Sequence, residues 1–340
     1  MTRSLSASAL NAPHTPFPAL GENFRLWLQG IDWTQSEKGD NLALLRILYA
    51  AGRQSLPFAR LLEGHVDAIQ ILYRTLGQAD RSHVDALLES GASLGVWNAD
   101  LPGAPLSLTN GTLSGGKAFA SGAGILSHAL VTLDAGDKDR VQLLLLDLTK
   151  VPPEIDTTWW SVIGMQASET HIVRWNGAIS QPDWKVGEPG DYEKEPWFSG
   201  GALRFVTVQA GAIAALFDGV RDHLIKTGRD QDVHQTDRLA ELYACADISA
   251  AVVRDTATSS DDTVEARLAA VAHARTVVCD QAQHAILLAQ QCVGVKSMFR
   301  DHPLSDIICN LMVYLRQPAP DAQKQKVGRA AAAGVIQPQL

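Results

Sequence analysis

Two residue spacings in this chain could do chemistry. Ser114 and Lys117 fit Ser-x-x-Lys, in which a lysine accepts the proton of a serine nucleophile. The companion motifs of such enzymes are missing, so nucleophilic catalysis is set aside. Glu63, His65 and Asp67 fall together on one predicted helix and have the residue types of a metal site. The reading adopted for them is a solvated helix edge, and no metal is assigned. No G-x-G-x-x-G follows a strand and opens a helix, which argues against a Rossmann dinucleotide site.

The elements that must position any site come in a distinctive order. Residues 21–93 read as helix: a short Leu/Ile-rich segment at 41–49, then 56–76 with Leu61, Leu62, Val66, Ile69, Leu72 and Leu76 near helical spacing, then 81–89. Residues 94–190 read as sheet. Runs of Leu, Val, Thr and Phe are cut by Asn-Gly, Gly-Gly and Pro-Pro, giving about six strands, among them 105–109, 111–119, 129–133, 142–148 and 170–179. Residues 134–140 have the composition of a hairpin tip. From 195 the chain is helical again, with long segments at 201–225, 232–253, 263–291 and 303–315, an up-down four-helix pattern. Residues 1–20 read as a disordered tail and 318–340 as a loose C-terminal tail or docking arm. The fold class is therefore α+β, mostly α: an N-terminal helical unit at 21–93, a central small β-barrel or sandwich at 94–190, and a C-terminal four-helix bundle at 195–317.

Composition narrows the classes of partner. The chain has 340 residues, a net charge of −8 and no dense Lys/Arg cluster, so nucleic acid is not expected. The N-terminus has one Arg and no sustained apolar run, unlike a secretory leader. No stretch approaches ~18 uninterrupted apolar residues, so no membrane partner is expected. Cys245, Cys279, Cys292 and Cys309 form no C-x-x-C pair and fall in predicted helices, which points to buried thiols in a reducing cytoplasm.

Helical unit, β unit and four-helix unit, with the motifs inside them, resemble the acyl-CoA dehydrogenase family over roughly residues 40–325. LSGGKAFASGAG (113–124) is similar to its Gly-x-Lys-x-aromatic-x-Ser/Thr strand, and WWSVIGMQASETHIV (159–173) to its Gly-Met-x-x-Ser-x-Ser/Thr segment. GVWNAD (95–100) occupies the place of its Thr-Glu-Pro flavin-edge segment. TGRDQDVHQTDRLAELYACADIS (227–249) resembles its Phe-Gly…Gln…Leu-Ala helix, and QQCVGVKSMFRDHPLSDI (290–307) its Gln-x-x-Gly-Gly…Pro-Leu-Glu-Arg region.

The resemblance implies FAD. A flat apolar ring with a polar edge and one reactive nitrogen needs an aromatic wall and hydroxyl or backbone donors. It places Phe119 as the wall and Ser121 as a donor to the reactive nitrogen or a nearby carbonyl. Trp97 and Asn98 would meet the pyrimidine edge, and Trp159, Trp160, Ser168 and Thr170 the flavin or pyrophosphate. Trp159 and Trp160 equally fit core or interface aromatics. On the bundle, Arg229, Gln235, Gln291 and Gly294 would hold the diphosphate and adenosine of a neighbouring subunit, so a homodimer or homotetramer is implied. Leu224 stands where the family has an arginine, and Val295 where it has a second glycine.

The implied reaction is α,β-dehydrogenation of an acyl-CoA or acyl-carrier substrate, which needs a carboxylate base over the α carbon. The family's glutamate position falls at Arg316–Pro318, and Cys309 and Asn310 replace its Arg-Asp. No catalytic residue is assigned; Glu195, Asp218 and Asp222 are substitutes to test. Three readings follow: a flavin oxidoreductase acting on a thioester or similar substrate, a flavin monooxygenase or oxidase that needs no base, and a non-catalytic binding or assembly protein of the same fold.

Overall fold

A computed structural model describes residues 22–28, 31, 33, 40–76, 78–134, 141–179, 185–259, 263–316 and 319–338. The expected tail at 1–20 and most of the hairpin tip at 134–140 lie outside them. Contacts divide the chain into two units. The first comprises 1–39, 60–161 and 166–194; the second comprises 40–59, 162–165 and 195–340.

The first unit holds α1 (Glu22–Leu28), most of α3 (Leu56–Thr75), α4 (Gln78–Glu89) and two four-stranded sheets. In one sheet β1 (Leu94–Trp97) pairs parallel with β4 (His128–Asp134), which pairs antiparallel with β5 (Val141–Asp147), itself edged by β8 (Lys185–Val186). The other is antiparallel throughout: β2 (Ser107–Thr109), β3 (Thr112–Ala120), β7 (His171–Ile179) and β6 (Glu154–Asp156). β6 and β8 are too short to leave a periodic pattern in the sequence. Trp97 of β1 meets Trp175 of β7 with ring centroids 6.4 Å apart, so the core between the sheets is aromatic. Each indole N–H finds a carbonyl, Ser121 O at 2.9 Å and Val151 O at 3.1 Å, as buried indoles require.

His65 is not on a solvated edge. It is fully buried in α3, its Nδ1 accepts from the Leu94 N–H at 3.1 Å, and its ring stands perpendicular to Trp33 at 5.0 Å. Burial pushes its pKa down to about 3. Glu63 pairs with Arg60 at 2.7 Å, and no metal-binding group of three occurs among the described residues.

The second unit is helical. α6 (Ala202–Lys226) packs against α2 (Leu42–Gln54), α7 (Val233–Thr258), α8 (Val264–Val293) and α9 (Pro303–Tyr314). A helix surrounded on all sides must be apolar all round, and Ala202–Leu216 is buried at all but one position. That explains why 197–226 is long and apolar enough to span a membrane by composition while being mostly buried in the protein. Asp232 caps α7 through the His234 and Gln235 amides, Thr263 caps α8 through the Ala266 amide, and Pro303 opens α9 behind the His302 cap.

Two expectations are corrected here. Residues 21–93 do not stand apart as one domain, because α2 belongs with α6. Residues 318–340 are not a loose tail: α10 (Pro320–Ala332) packs on α8 and buries Ala330, with Lys324 3.3 Å from Asp280. A short helix of four residues, α5 (Trp197–Gly200), precedes α6.

The α2–α6 contact is close enough to exclude any side chain. A Cβ on Gly211 would stand 2.2 Å from Tyr49 O, and one on Gly52 2.2 Å from Val208 O. Gly211→Ala is expected to cost about 1–3 kcal/mol by overpacking, even though alanine is the better helix former by about 1 kcal/mol. Denaturant midpoints measure this, and an unchanged or raised midpoint would contradict it. His65 makes a second prediction. Its folded pKa lies below the unfolded value of 6.5, so the unfolded chain binds the extra proton. The stability is fully present above 6.5 and falls as pH drops toward 3, by about 2 kcal/mol between pH 7 and 5. His65→Asn keeps an acceptor for Leu94 and should remove that slope; an equal slope in the variant would assign it to other groups.

Candidate functional site

On the first unit the site residues gather where β3 ends. A register irregularity between Lys117 and Ala120 turns Phe119 out of the sheet. Its φ is 54° and its side chain is 55% exposed. A phenylalanine in the left-handed region is strained, and such strain collects at ligand sites. Trp159 stands edge-on to Phe119 at 4.8 Å and stacks on Trp160 at 5.9 Å, while Leu101, Ala118 and Ile172 back Trp159 from inside. One side of Trp159 therefore packs on the core, and the other faces an exposed aromatic ring.

Beside this wall runs a row of buried hydroxyls. Thr170 Oγ1 donates to Ser121 Oγ at 3.0 Å, and Ser168 Oγ lies 2.8 Å from Thr170 Oγ1. A hydroxyl has one proton to give. With Thr170 donating to Ser121, the direction runs Ser168 to Thr170 to Ser121, leaving the Ser121 O–H as donor at the head of the row. The Gly122 and Ala123 amides bond Ser168 O at 2.8 Å and Glu169 O at 3.1 Å, so the row is fixed by backbone.

Lys117, quoted above only as part of a pattern, underlies the arrangement. It is fully buried, with Nζ 2.6 Å from Asp100 Oδ1, 2.9 Å from Thr132 Oγ1 and 3.2 Å from Asn98 O. Burial lowers its pKa, opposed by Asp100. Asn98 is exposed, and its Oδ1 accepts from Thr132 Oγ1 at 2.9 Å. Trp97 is corrected: its indole is a core group with its N–H already used, so the side chain is not at a ligand edge.

On the second unit the structure brings Arg229 and Gln235 together and adds Arg238. With its amide oxygen turned toward the guanidiniums, Gln235 accepts from Arg229 at 2.5 Å and from Arg238 at 3.1 Å. Arg238 was missed by sequence reasoning, although it lies one turn after Gln235 on α7, a spacing that puts both on one face. Burial raises the Cys292 thiol, with Arg238 and Arg229 near enough to oppose the rise. Its neighbour Gln291 is exposed, and Gly294 closes α8 at φ 76° with open space where a Cβ would point. Two forked cations held by one amide suit phosphate oxygens. Leu224 is fully buried, which accounts for an apolar residue there, and Val295 is 74% exposed.

The substitute bases are occupied. Asp218 pairs with Arg53 at 2.6 Å and Arg221 at 3.2 Å, Asp222 pairs with Arg221 at 2.8 Å, and Glu195 accepts from the Ser199 N–H at 3.0 Å and its hydroxyl. Leu315 and Arg316 follow α9, and the next described acid is Asp321 in the first turn of α10. Cys309 and Asn310 have a structural use: Asn310 Oδ1 accepts from the Met165 N–H at 2.5 Å, and a Cβ on Gly164 would meet the Cys309 backbone at 2.3 Å.

No protein-family model matches this chain, and no curated protein matches it by sequence. Solved structures do match by shape. Dibenzothiophene monooxygenase TdsC from Paenibacillus sp. A11-2 aligns over 92% of this chain and 89% of its own, with TM-score 0.78 and 14% identity. Methanesulfinate monooxygenase MsuC from Pseudomonas fluorescens aligns over 94% and 88%, with TM-score 0.74 and 14% identity. Butyryl-CoA dehydrogenase from Megasphaera elsdenii aligns over 92% and 91%, with TM-score 0.74 and 14% identity. TdsC is also known bound to FMN.

The hydroxyl row and the aromatic wall make separable predictions. Ser121→Ala removes the donor at the head of the row and should shift the absorption of added flavin or weaken its retention about tenfold, the scale of one lost hydrogen bond in a dry site. Phe119→Ala removes the wall and should weaken retention without needing the row. Flavin content and spectra identical to wild type in both variants would remove these residues from the site.

Proposed function

We propose that this chain, which has the acyl-CoA dehydrogenase fold, is a flavin-dependent monooxygenase that uses FMN. The observation that carries this reading is the α9–α10 junction. Leu315 and Arg316 stand there among the described residues, and the candidate acids elsewhere are held in ion pairs or a helix-end hydrogen bond. Dehydrogenation of a thioester needs a free carboxylate over an acidic C–H; oxygenation by a reduced flavin does not. The likeness to TdsC and MsuC supports the same reading.

The sequence resemblance implied FAD; what the comparisons support is a flavin. FMN is preferred because the adenosine-side grips of the resemblance are replaced by Leu224 and Val295, while Arg229, Gln235 and Arg238 suit a single phosphate. A bound reduced flavin supplies the two electrons that activate dioxygen. The chain's own groups bind and orient. Phe119 walls one ring face with Trp159 behind it. The Ser121 O–H meets the polar edge, held in direction by Thr170 and Ser168. The Arg229–Gln235–Arg238 cluster takes the phosphate from a second copy of the chain, so a homodimer or homotetramer is part of the proposal, as is a reducing cytoplasm for its four free thiols. Desolvation by the aromatic wall protects the reacting centre from water.

Acyl-thioester dehydrogenation remains the second reading, favoured by the likeness to butyryl-CoA dehydrogenase. One experiment separates them. The purified protein is loaded with FMN or FAD, its absorption is recorded, and it is then given either an acyl-CoA panel or NADH with a flavin reductase. Retention of FMN with reductase-dependent oxygen uptake is the expected result. Bleaching by an acyl-CoA would overturn it in favour of dehydrogenation, and failure to retain either flavin would overturn both.

A further inference from the structure

Two histidines stand beside the arginine cluster of the second unit, and the flavin reading uses neither. The Arg229 N–H bonds Leu224 O at 2.9 Å, which sets Arg229 on the turn directly after α6. His223 lies in the last turn of that helix and is half-buried. Its ring meets that of His302 with centroids 5.4 Å apart and planes 60° apart. His302 caps α9, its Nδ1 accepting from the Leu304 N–H at 3.3 Å, so the proton of its neutral ring is on Nε2. Lys296 is on the short 3-10 helix Gly294–Met298 that leads to this cap: Phe299 N bonds Lys296 O at 3.1 Å, and His302 N bonds Phe299 O at 2.9 Å.

The charges gathered here are mostly of one sign. The groups that act most strongly on His223 are His302, Arg229, Lys296 and Lys226, and together with burial they hold its pKa below the ordinary value. From α7, Arg238 joins Arg229 through Gln235, and from α8 Cys292 brings a thiol that burial keeps neutral. The carboxylates nearest in sequence are engaged elsewhere or exposed. Asp222 pairs with Arg221 at 2.8 Å, Asp230 accepts from Gln231 Nε2 at 3.1 Å, and Asp232 caps α7 through the His234 and Gln235 amides. Asp301 and Asp306, on either side of the His302 cap, are exposed. Cations crowded together keep an imidazole neutral, and an anion set among them reverses that balance by favouring the imidazolium.

We propose that His223 is a further member of this phosphate site, neutral while the site is empty and protonated when a tetrahedral dianion of the phosphate-monoester class binds, so that binding takes up one proton and release returns it. The proposal rests on the reading that Arg229, Gln235 and Arg238 hold a phosphate. His302 stays neutral, because a proton on Nδ1 would forfeit the Leu304 cap, and its Nε2–H is a fixed donor. By linkage, affinity rises as pH falls, by up to about tenfold per pH unit, the limit for one proton.

Sulfate is the probe, because it is a dianion throughout the range tested and adds no titration of its own. Radiolabelled sulfate is equilibrium-dialysed against the full-length protein at pH 8, 7 and 6, with ionic strength held constant by sodium chloride, and FMN is dialysed in the same way. Wild type should bind sulfate about tenfold more tightly at pH 6 than at pH 8. His223→Gln should bind at its pH 8 strength at all three values, and Arg229→Met should weaken binding at each. His302→Asn keeps an acceptor for the Leu304 amide and should keep the slope. Sulfate binding without a slope in the wild type, a slope unchanged in His223→Gln, or a slope lost in His302→Asn would overturn the proposal and leave the phosphate reading standing. Failure to bind either sulfate or FMN at any pH would overturn both. FMN binding that lacks the His223-dependent slope seen with sulfate would keep the proton-linked site, assign it to a free oxyanion and count against the flavin phosphate as its ligand.

Discussion

A buried ammonium cannot be left without acceptors, and Lys117 is the place where this chain meets that constraint. Its charge is met by the backbone of Asn98, the carboxylate of Asp100 and the hydroxyl of Thr132. These groups come from the residues just after β1 and from β4, while Lys117 itself is on β3. One cation therefore ties both sheets at a single point. Removing the Asp100 carboxylate would leave the buried ammonium with neutral acceptors only, a cost of several kcal/mol. The irregularity of β3 and the outward turn of Phe119 follow immediately after Lys117.

The hydroxyl row is fixed in a different way. Its members come from the end of β3 and the segment before β7, two places joined by backbone hydrogen bonds from Gly122 and Ala123. The protein thus sets an apolar wall by strain and packing, and a polar edge by directional bonding, within a few residues of each other. That combination is what a flat ring with one polar margin requires. On the bundle the logic is simpler: Gln235 is buried and neutral, and it aligns two arginines that would otherwise repel each other.

Much of this was legible in the sequence, and the parts that were not have physical reasons. Long helices such as α6 and α8, and strands such as β3 and β5, are strongly periodic or clearly punctuated, and their observed limits lie close to the expected ones. The hydroxyl and aromatic residues at 119, 121, 168 and 170 were named from motif order, and the structure brings them together. Trp97 was misplaced because a Gly-Val-Trp-Asn run does not say which face of a strand a tryptophan takes; alternation there is set by the partner Trp175, far away in the chain. His65 was misjudged because its acidic neighbours made the helix look polar, whereas burial is decided by Leu94 and Trp33. α10 was missed because an Ala/Lys/Gln helix carries almost no apolar stripe and is held instead by one side of α8. Arg238 was legible by helical spacing alone, but nothing in the motif asked for it.

The division of the chain also bears on how it is made. Neither unit is one continuous stretch: the helical unit takes α2 early, a short piece at 162–165, and then everything from 195 onward. As the ribosome delivers the chain, α2 emerges with Leu44, Leu45, Ile47 and Leu48 ready for burial, while the groove they fill on α6 does not yet exist. The whole β unit is synthesised in the interval. For that time an apolar helix face waits in solution or in the hands of a chaperone, and the glycines that let α2 and α6 touch act only when nearly two-thirds of the chain has been translated.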